Sequence, residues 1–293
     1  MLSKTLSNTN LMLSLGILAG LIYPAFAHPA EQTLIPALML ALTISLRAIS
    51  FDMHLLKHGK SGLKAYAASM LMGVLTIILA LLLLNEDAYI KGFIVIAFAP
   101  PAVGVIAFNH LFKGDEKLAL VGSSIAYLIS LVVTPAGIWY FTGGLVDPAY
   151  IFRTVVLLLA VPMLLSRIVK RSGANLDGLA KPVVNACFFI VSYAMIALNQ
   201  QELVSKGLAL TPVFVIMFAR TFMTGLIAYY ALKNRVLEET RITYSLFASF
   251  KNGGMATVLA YYLFGPAASI PAAVSAIFEL PYIMLLGRIS GKK

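Results

Sequence analysis

The sequence predicts an all-α membrane protein in which ten transmembrane helices form a 5+5 inverted repeat. Three observations predict this fold class. Hydrophobic residues make up 60% of the 293-residue chain and charged residues only 12%, whereas soluble proteins carry about 25% charged residues. The apolar residues form runs such as 65–84 and 208–232, which are long enough for the roughly 20 residues that cross a bilayer. Helix breakers also recur in the corresponding segment of each half of the chain.

Hydropathy and helix-stop signals place the ten spans, which are numbered here as segments 1 to 10. They cover residues 10–27, 33–49, 64–84, 91–112, 117–140, 150–168, 181–199, 208–232, 244–264 and 269–287. The stretches between these segments are too short for a separate soluble domain. The first repeat is predicted to cover residues 1–149 and the second repeat residues 150–293.

The Lys and Arg residues in the loops predict the orientation, because cytoplasmic loops of membrane proteins are enriched in positive charge. With both termini in the cytoplasm, loop cations on the outer side are limited to Lys91, Arg153 and Lys206. The net charge of +10 therefore reflects membrane topology, and no nucleic-acid-binding motif accompanies it. We predict a multi-pass protein of a bacterial-type inner membrane, with the lipid bilayer as its surroundings and no nucleic-acid partner.

Segment 1 has a second interpretation. Lys4, an apolar run and the triplet Ala25-Phe26-Ala27 also resemble a signal peptide with its cleavage site. Pro24 and the length of the apolar run favour a retained span. N-terminal sequencing of the purified protein separates the two interpretations.

Segments 4 and 9 carry helix breakers midway along their length. Segment 4 contains Pro100-Pro101 and segment 9 contains Asn252-Gly253-Gly254. Proline removes a backbone donor, and paired glycines tolerate non-helical angles, so both helices should be interrupted. An interrupted pair in corresponding positions indicates the binding site of a transporter, although two simple packing kinks are the alternative.

Ionisable residues inside the spans are the second indication of a site, because a charge at the bilayer centre costs at least about 2.5 kcal/mol. Lys251 lies at the segment 9 break, Glu279 lies midway along segment 10, and Arg220 lies midway along segment 8. The half-helices that begin after Pro101 and near Gly253 would direct partial positive charge into the same region. An anionic substrate is therefore predicted, with Lys251 as a fixed cation. A structural Lys251–Glu279 ion pair is the alternative.

The predicted site combines these charged groups with the breaks and nearby polar residues. The predicted substrate-binding residues are Pro100, Pro101, Asn109, Ser123, Lys251, Asn252 and Gly253. Lys251 and Glu279 are the predicted coupling residues. Catalytic, nucleotide-binding and metal-binding motifs are absent from the sequence, so it predicts no enzyme, cofactor or metal. Transport would then be coupled to an ion gradient or passive. A membrane sensor or structural protein on a carrier fold remains the alternative, and solute flux separates the two.

The same residues resemble the bile acid:sodium symporter family. The resemblance is sharpest at three places. These are Ala99-Pro100-Pro101 followed by Lys113-Gly114-Asp115, the stretch 128–135 that ends in Thr134-Pro135, and Lys251-Asn252-Gly253-Gly254 with Pro271 beyond. It also includes Leu15-Gly16, Pro24, the stretch 37–43 and Phe51-Asp52. The related auxin efflux carriers share the proline pair.

The resemblance implies a core domain of segments 3–5 and 8–10 and a panel domain of segments 1, 2, 6 and 7, with alternating access between them. It also implies two sodium ions near the crossing of the broken helices. This sequence departs from that pattern, since Phe247 replaces the family's sodium-binding Glu and Lys251 replaces its Gln. An ammonium group near the site would repel sodium. We therefore expect Lys251 to stand in for a bound cation, with H⁺ as the coupling ion in place of two Na⁺ ions; sodium coupling through atypical ligands is the alternative.

Overall fold

A computed structural model describes residues 6–49, 59–173, 176 and 178–291. Phe51 and Asp52, which belong to the resemblance above, lie outside these described residues. Within those ranges the chain is helical, and its extended backbone pairing is limited to an isolated antiparallel bridge between Pro101 and Lys251. The all-α prediction is confirmed.

Fifteen helices, numbered α1 to α15 in chain order, make up the described part of the chain. They are α1 (Thr9–Ile22), α2 (Ala27–Glu31), α3 (Leu34–Ser45), α4 (Gly59–Leu83), α5 (Asp87–Phe98), α6 (Gly104–Leu111), α7 (Glu116–Phe141), α8 (Pro148–Arg171), α9 (Ala180–Leu198), α10 (Gln200–Lys206), α11 (211–231), α12 (Glu238–Ser249), α13 (Gly253–Phe264), α14 (Pro266–Ala273) and α15 (Ser275–Ile289). Helices α8 and α11 each contain one π-helical turn, at Val156–Ala160 and Ala219–Met223 respectively.

Six stretches of helix in the described part are long and apolar enough to cross a membrane. They correspond to predicted segments 3, 5, 6, 7, 8 and 10. A seventh is added if α1 and the bent stretch 24–31 count as one span. Segments 2, 4 and 9 are shorter or interrupted helices, so helix length supports a multi-pass membrane protein and leaves the count of ten as a prediction.

Segment 1 differs from the continuous helix predicted over 10–27. Helix α1 ends at Ile22, and the chain then bends by 95° into the stretch 24–31. Pro24 causes the bend, because proline lacks an N–H donor and disfavours the helical conformation of the residue before it. Tyr23 accordingly has φ −135° and ψ 77°.

The interruptions predicted in segments 4 and 9 are both confirmed. Segment 4 consists of α5 and α6 with a break at 99–103, and segment 9 consists of α12 and α13 with a break at 250–252. The two breaks meet and satisfy each other's backbone groups. The amide of Asn252 donates to the carbonyl oxygen of Pro100 at 2.8 Å, and the amide of Ala102 donates to that of Phe250 at 3.3 Å. Polar backbone that helices leave unpaired is thus hydrogen-bonded inside the protein.

Side-chain caps fix where the long helices begin. The Asp115 carboxylate accepts a hydrogen bond from the Leu118 amide at 2.9 Å and starts α7. Asn8 caps α1 in the same way through the Leu11 amide at 3.1 Å. Each cap satisfies an amide that the first turn of a helix leaves free.

Candidate functional site

The crossing of the two breaks buries the side chain of Lys251. Only 2% of this residue is exposed, and its Nζ has no hydrogen-bond partner among the described residues. Its backbone is held by the antiparallel bridge to Pro101. A buried ammonium without a partner is costly, so this position calls for a functional explanation.

A cavity of about 1140 Å³ reaches from Lys251 to the protein surface. Lys251, Asn252 and Gly253 line its closed end, and the exposed residues His110 and Lys181 line its open end. Its walls are mostly apolar side chains from α1, α3, α6, α9 and α15. The cavity therefore combines a single buried ammonium with walls suited to an apolar ligand body.

Two helix N-termini lie at the closed end of this cavity. Gly104 at the start of α6 and Gly253 at the start of α13 both line it. The Asn252 side chain caps α13, since its Oδ1 accepts from the Met255 amide at 3.1 Å, while its Nδ2 donates to the Tyr127 hydroxyl at 3.2 Å. Helix N-termini carry partial positive charge, which adds to the charge of Lys251.

Glu279 also lines the cavity, but its ionic partner is Arg220. The Glu279 Oε1 lies 3.7 Å from the Arg220 Nη1. Arg220 lies in the π-helical turn of α11 and is 3% exposed. Within the described part of the chain Lys251 has no carboxylate within 4.0 Å, so the structure does not contain the alternative Lys251–Glu279 pair.

The positions that the resemblance assigns to sodium ligands offer few oxygen atoms. Phe247 is fully buried, and its ring packs against Gly122, where an added Cβ would lie 2.7 Å from the ring Cζ. After the first break the cavity is lined by Ala102 and Val103, which have no side-chain oxygen. An apolar ring and aliphatic side chains occupy the places where sodium would need ligands.

The structure does not bring Asn109 and Ser123 to the cavity. Asn109 is fully buried, and its Oδ1 accepts a hydrogen bond from the Thr243 hydroxyl at 2.6 Å, which connects α6 to α12. Ser123 is 1% exposed on α7 and is not part of the cavity lining. Of the predicted binding residues, Lys251, Asn252 and Gly253 line the cavity together. Pro100 and Pro101 contribute through the backbone pairing.

Sequence analysis did not predict the contacts of two residues that organise the site. Tyr127 is fully buried and holds the Asn252 amide. Arg220 was recognised as a charge inside a span, but its pairing with Glu279 depends on how α11 and α15 face each other. A tyrosine inside an apolar segment gives no local signal of such a contact.

Comparison with known proteins identifies the family. The model of the Sodium Bile acid symporter family matches residues 32–206, which is more than half of the chain. The chain belongs to this family. The matched stretch contains the first break and ends before the second, so Phe247 and Lys251 lie beyond it.

The chain is also similar to a curated bacterial protein. It is the "Uncharacterized sodium-dependent transporter YocS" of Bacillus subtilis (strain 168), which is 23% identical over 194 residues. The match covers 64% of this chain and 60% of the relative. The chain therefore spans about 60% of the length of the curated relative that it matches.

A functional role for Lys251 predicts an unusual effect on stability. Lys251→Met keeps the side-chain length and removes an ammonium that has no partner, so the thermal midpoint of the ligand-free protein in detergent should stay the same or rise. Asn252→Ala is the matched control, because it removes a helix cap and should cost about 1 kcal/mol. If the thermal midpoint of Lys251→Met falls as far as that of Asn252→Ala, Lys251 stabilises the fold and the prediction is wrong.

Proposed function

We propose that this protein is a secondary transporter that moves a small organic anion across the membrane by alternating access. The observation that carries the proposal is the unpartnered Lys251 ammonium at the closed end of a large cavity, beside two helix N-termini. An anion that enters the cavity would supply the partner that Lys251 lacks. The mostly apolar walls would hold the uncharged body of an organic acid.

The proposed architecture is a 5+5 inverted repeat of residues 1–149 and 150–293, with ten spans. Segments 3–5 and 8–10 would form the core domain, and segments 1, 2, 6 and 7 the panel domain. The cavity walls support this division, since α1, α3 and α9 come from the panel segments and α6, α13 and α15 from the core segments. A substrate between two such domains is carried when one moves against the other.

The exposed charged residues that line the cavity lie at one end of it, which supports alternating access. Its exposed end at Asn8, His110 and Lys181 lies on the side that the loop charges predict to be cytoplasmic. Three side-chain hydrogen bonds at the opposite end connect α13 to α2, α5 to α10, and the end of α9 to α14. They are Tyr261 to Glu31 at 2.5 Å, Tyr89 to Glu202 at 2.7 Å, and Asn199 to Ser269 at 3.0 Å. We call these three contacts the outer latch, and we propose that this conformation is the inward-open one.

Coupling to two sodium ions is not part of this proposal. The buried Phe247 ring and the Lys251 ammonium leave little room for sodium ligands, so we propose H⁺ coupling through Lys251 or Glu279. Sodium-coupled symport is the second candidate function. It is favoured by the family's description and by the name of the Bacillus subtilis relative.

Uptake into proteoliposomes separates these functions. A carboxylate that raises the thermal midpoint of the purified protein should be taken up in sodium-free buffer and respond to a pH gradient. An added sodium gradient should leave the initial rate unchanged. Strong stimulation by sodium at neutral pH would favour the second candidate. Absence of uptake under every gradient would indicate a sensor or structural protein.

Weakening the outer latch should open the cavity to the outer side. Tyr261→Phe removes the hydrogen bond to the Glu31 carboxylate, and a hydrogen bond to a charged group contributes about 1.5–3 kcal/mol. We expect the outward-open population to rise about tenfold or more. The readout is labelling of Thr257→Cys, a cavity-lining reporter in a Cys187→Ser background, by an impermeant maleimide from each side.

Tyr262→Phe is the control for this experiment, because no hydrogen bond of the Tyr262 hydroxyl is present in the described structure. It should leave labelling from both sides as in the parent protein. Equal outer-side labelling of the Tyr261→Phe and Tyr262→Phe proteins would show that the Tyr261–Glu31 contact does not hold the outer side closed.

A further inference from the structure

The charged groups of the cavity fall into two sets with different surroundings. At the open end, His110 and Glu116 form a contact of 2.6 Å with side chains that are 81% and 63% exposed, and Lys181 is also exposed. Water and salt screen such groups strongly. The charge that a bound ligand meets is therefore determined at the closed end.

Three ionisable residues determine the charge at the closed end. Lys251 and Glu279 line the cavity directly. The Arg220 Nη1 lies 3.7 Å from the Glu279 Oε1. When all three groups are ionised, two cations and one carboxylate give the closed end a net charge of +1.

The Arg220–Glu279 contact is close enough for charge compensation and too long for a hydrogen bond. Glu279 Oε1 and Arg220 Nη2 have no hydrogen-bond partner among the residues that the structure describes. A purely structural buried ion pair would satisfy these atoms, because desolvation makes unsatisfied charged atoms costly. The Glu279 carboxylate thus lies at the cavity wall with its Oε1 free of any hydrogen bond to the described residues.

A hydrogen-bonding contact connects the Arg220–Glu279 pair to the second break. The Thr224 hydroxyl lies within hydrogen-bond distance of two carbonyl oxygens, that of Arg220 one turn earlier and that of Ala248 at 3.2 Å. Ala248 lies two residues before the break that positions Lys251. The Thr224 hydroxyl therefore links the helix that carries Arg220 to the helix that ends at the second break.

We propose that Glu279 is a specificity-determining residue that restricts the preferred substrate to a single negative charge. This inference rests on the proposed function of the same cavity. A monoanion neutralises the net charge of +1 at the closed end. A second negative charge would have no cation left and would be repelled by Glu279, which is the repulsive element that a selective site requires.

The test compares ligands that are matched in size and differ by one carboxylate. Hexanoate and adipate form one pair, and benzoate and phthalate form the second. Affinities for the full-length protein in detergent are measured by calorimetry and checked by thermal shift. The wild-type protein should prefer the monoanion of each pair. In Glu279→Gln the closed end carries +2, so the ratio of dianion to monoanion affinity should rise about tenfold or more.

The double variant Arg220→Met/Glu279→Gln is the matched control, because it restores +1 and leaves no unpaired member of the pair. Its affinity ratio should return to the wild-type value, whereas a structural role would weaken both ligands equally and would not be rescued. If the Glu279→Gln protein does not fold, hexanoate binding is measured with Arg220→Met instead. Its closed end carries no net charge, so it should bind hexanoate more weakly than the wild-type protein.

The outcomes distinguish this inference from the function on which it rests. Any of three results overturns the charge selection. They are an unchanged affinity ratio in Glu279→Gln, a double variant that has the same ratio as Glu279→Gln, and Arg220→Met binding hexanoate as tightly as the wild-type protein does. Carboxylate binding that depends on Lys251 would then still support the proposed function. Failure of all four probes to bind any of the proteins would contradict the anion site itself.

Discussion

The backbone pairing between the two helix breaks is the interaction on which the rest of the structure depends. Each break leaves amide and carbonyl groups without intrahelical partners, which costs several kcal/mol per group in an apolar interior. Here the Asn252 amide donates to the Pro100 carbonyl oxygen, and the Ala102 amide donates to the Phe250 carbonyl oxygen. This pairing fixes where the two chains cross. The position of Lys251 at the closed end of the cavity follows from it.

The contrast between two cations explains why we propose a functional role for Lys251. Arg167 is also partly buried, but its guanidinium donates to the carbonyl oxygens of Ile49, at 2.6 Å, and Leu46 near the end of α3. Cations near a helix C-terminus stabilise a fold in this way. Lys251 has neither a carbonyl nor a carboxylate partner among the described residues. Its burial costs free energy that an anionic ligand would recover.

The features that sequence analysis predicted correctly depend on local backbone chemistry. Pro100-Pro101 and Gly253-Gly254 interrupt any helix, so both breaks could be read directly from the residues. The placement of Asn109 and the partner of Glu279 depend on how distant helices face one another. A buried polar residue on a helix fits a substrate contact and an interhelical contact equally well, and Asn109 bonds Thr243. The 95° bend after α1 was not predicted, because the apolar run over 10–27 indicated one continuous span and Pro24 was not taken as its end.

The most direct test of the central claim is anion binding by Lys251→Gln, with Lys181→Gln at the open end of the same cavity as its control. Loss of a charge-assisted contact worth about 1.5–3 kcal/mol should weaken carboxylate binding by about tenfold or more. Lys181→Gln should bind nearly as the wild-type protein does, because its ammonium is exposed. Equal carboxylate affinities in the wild-type and Lys251→Gln proteins would contradict the account.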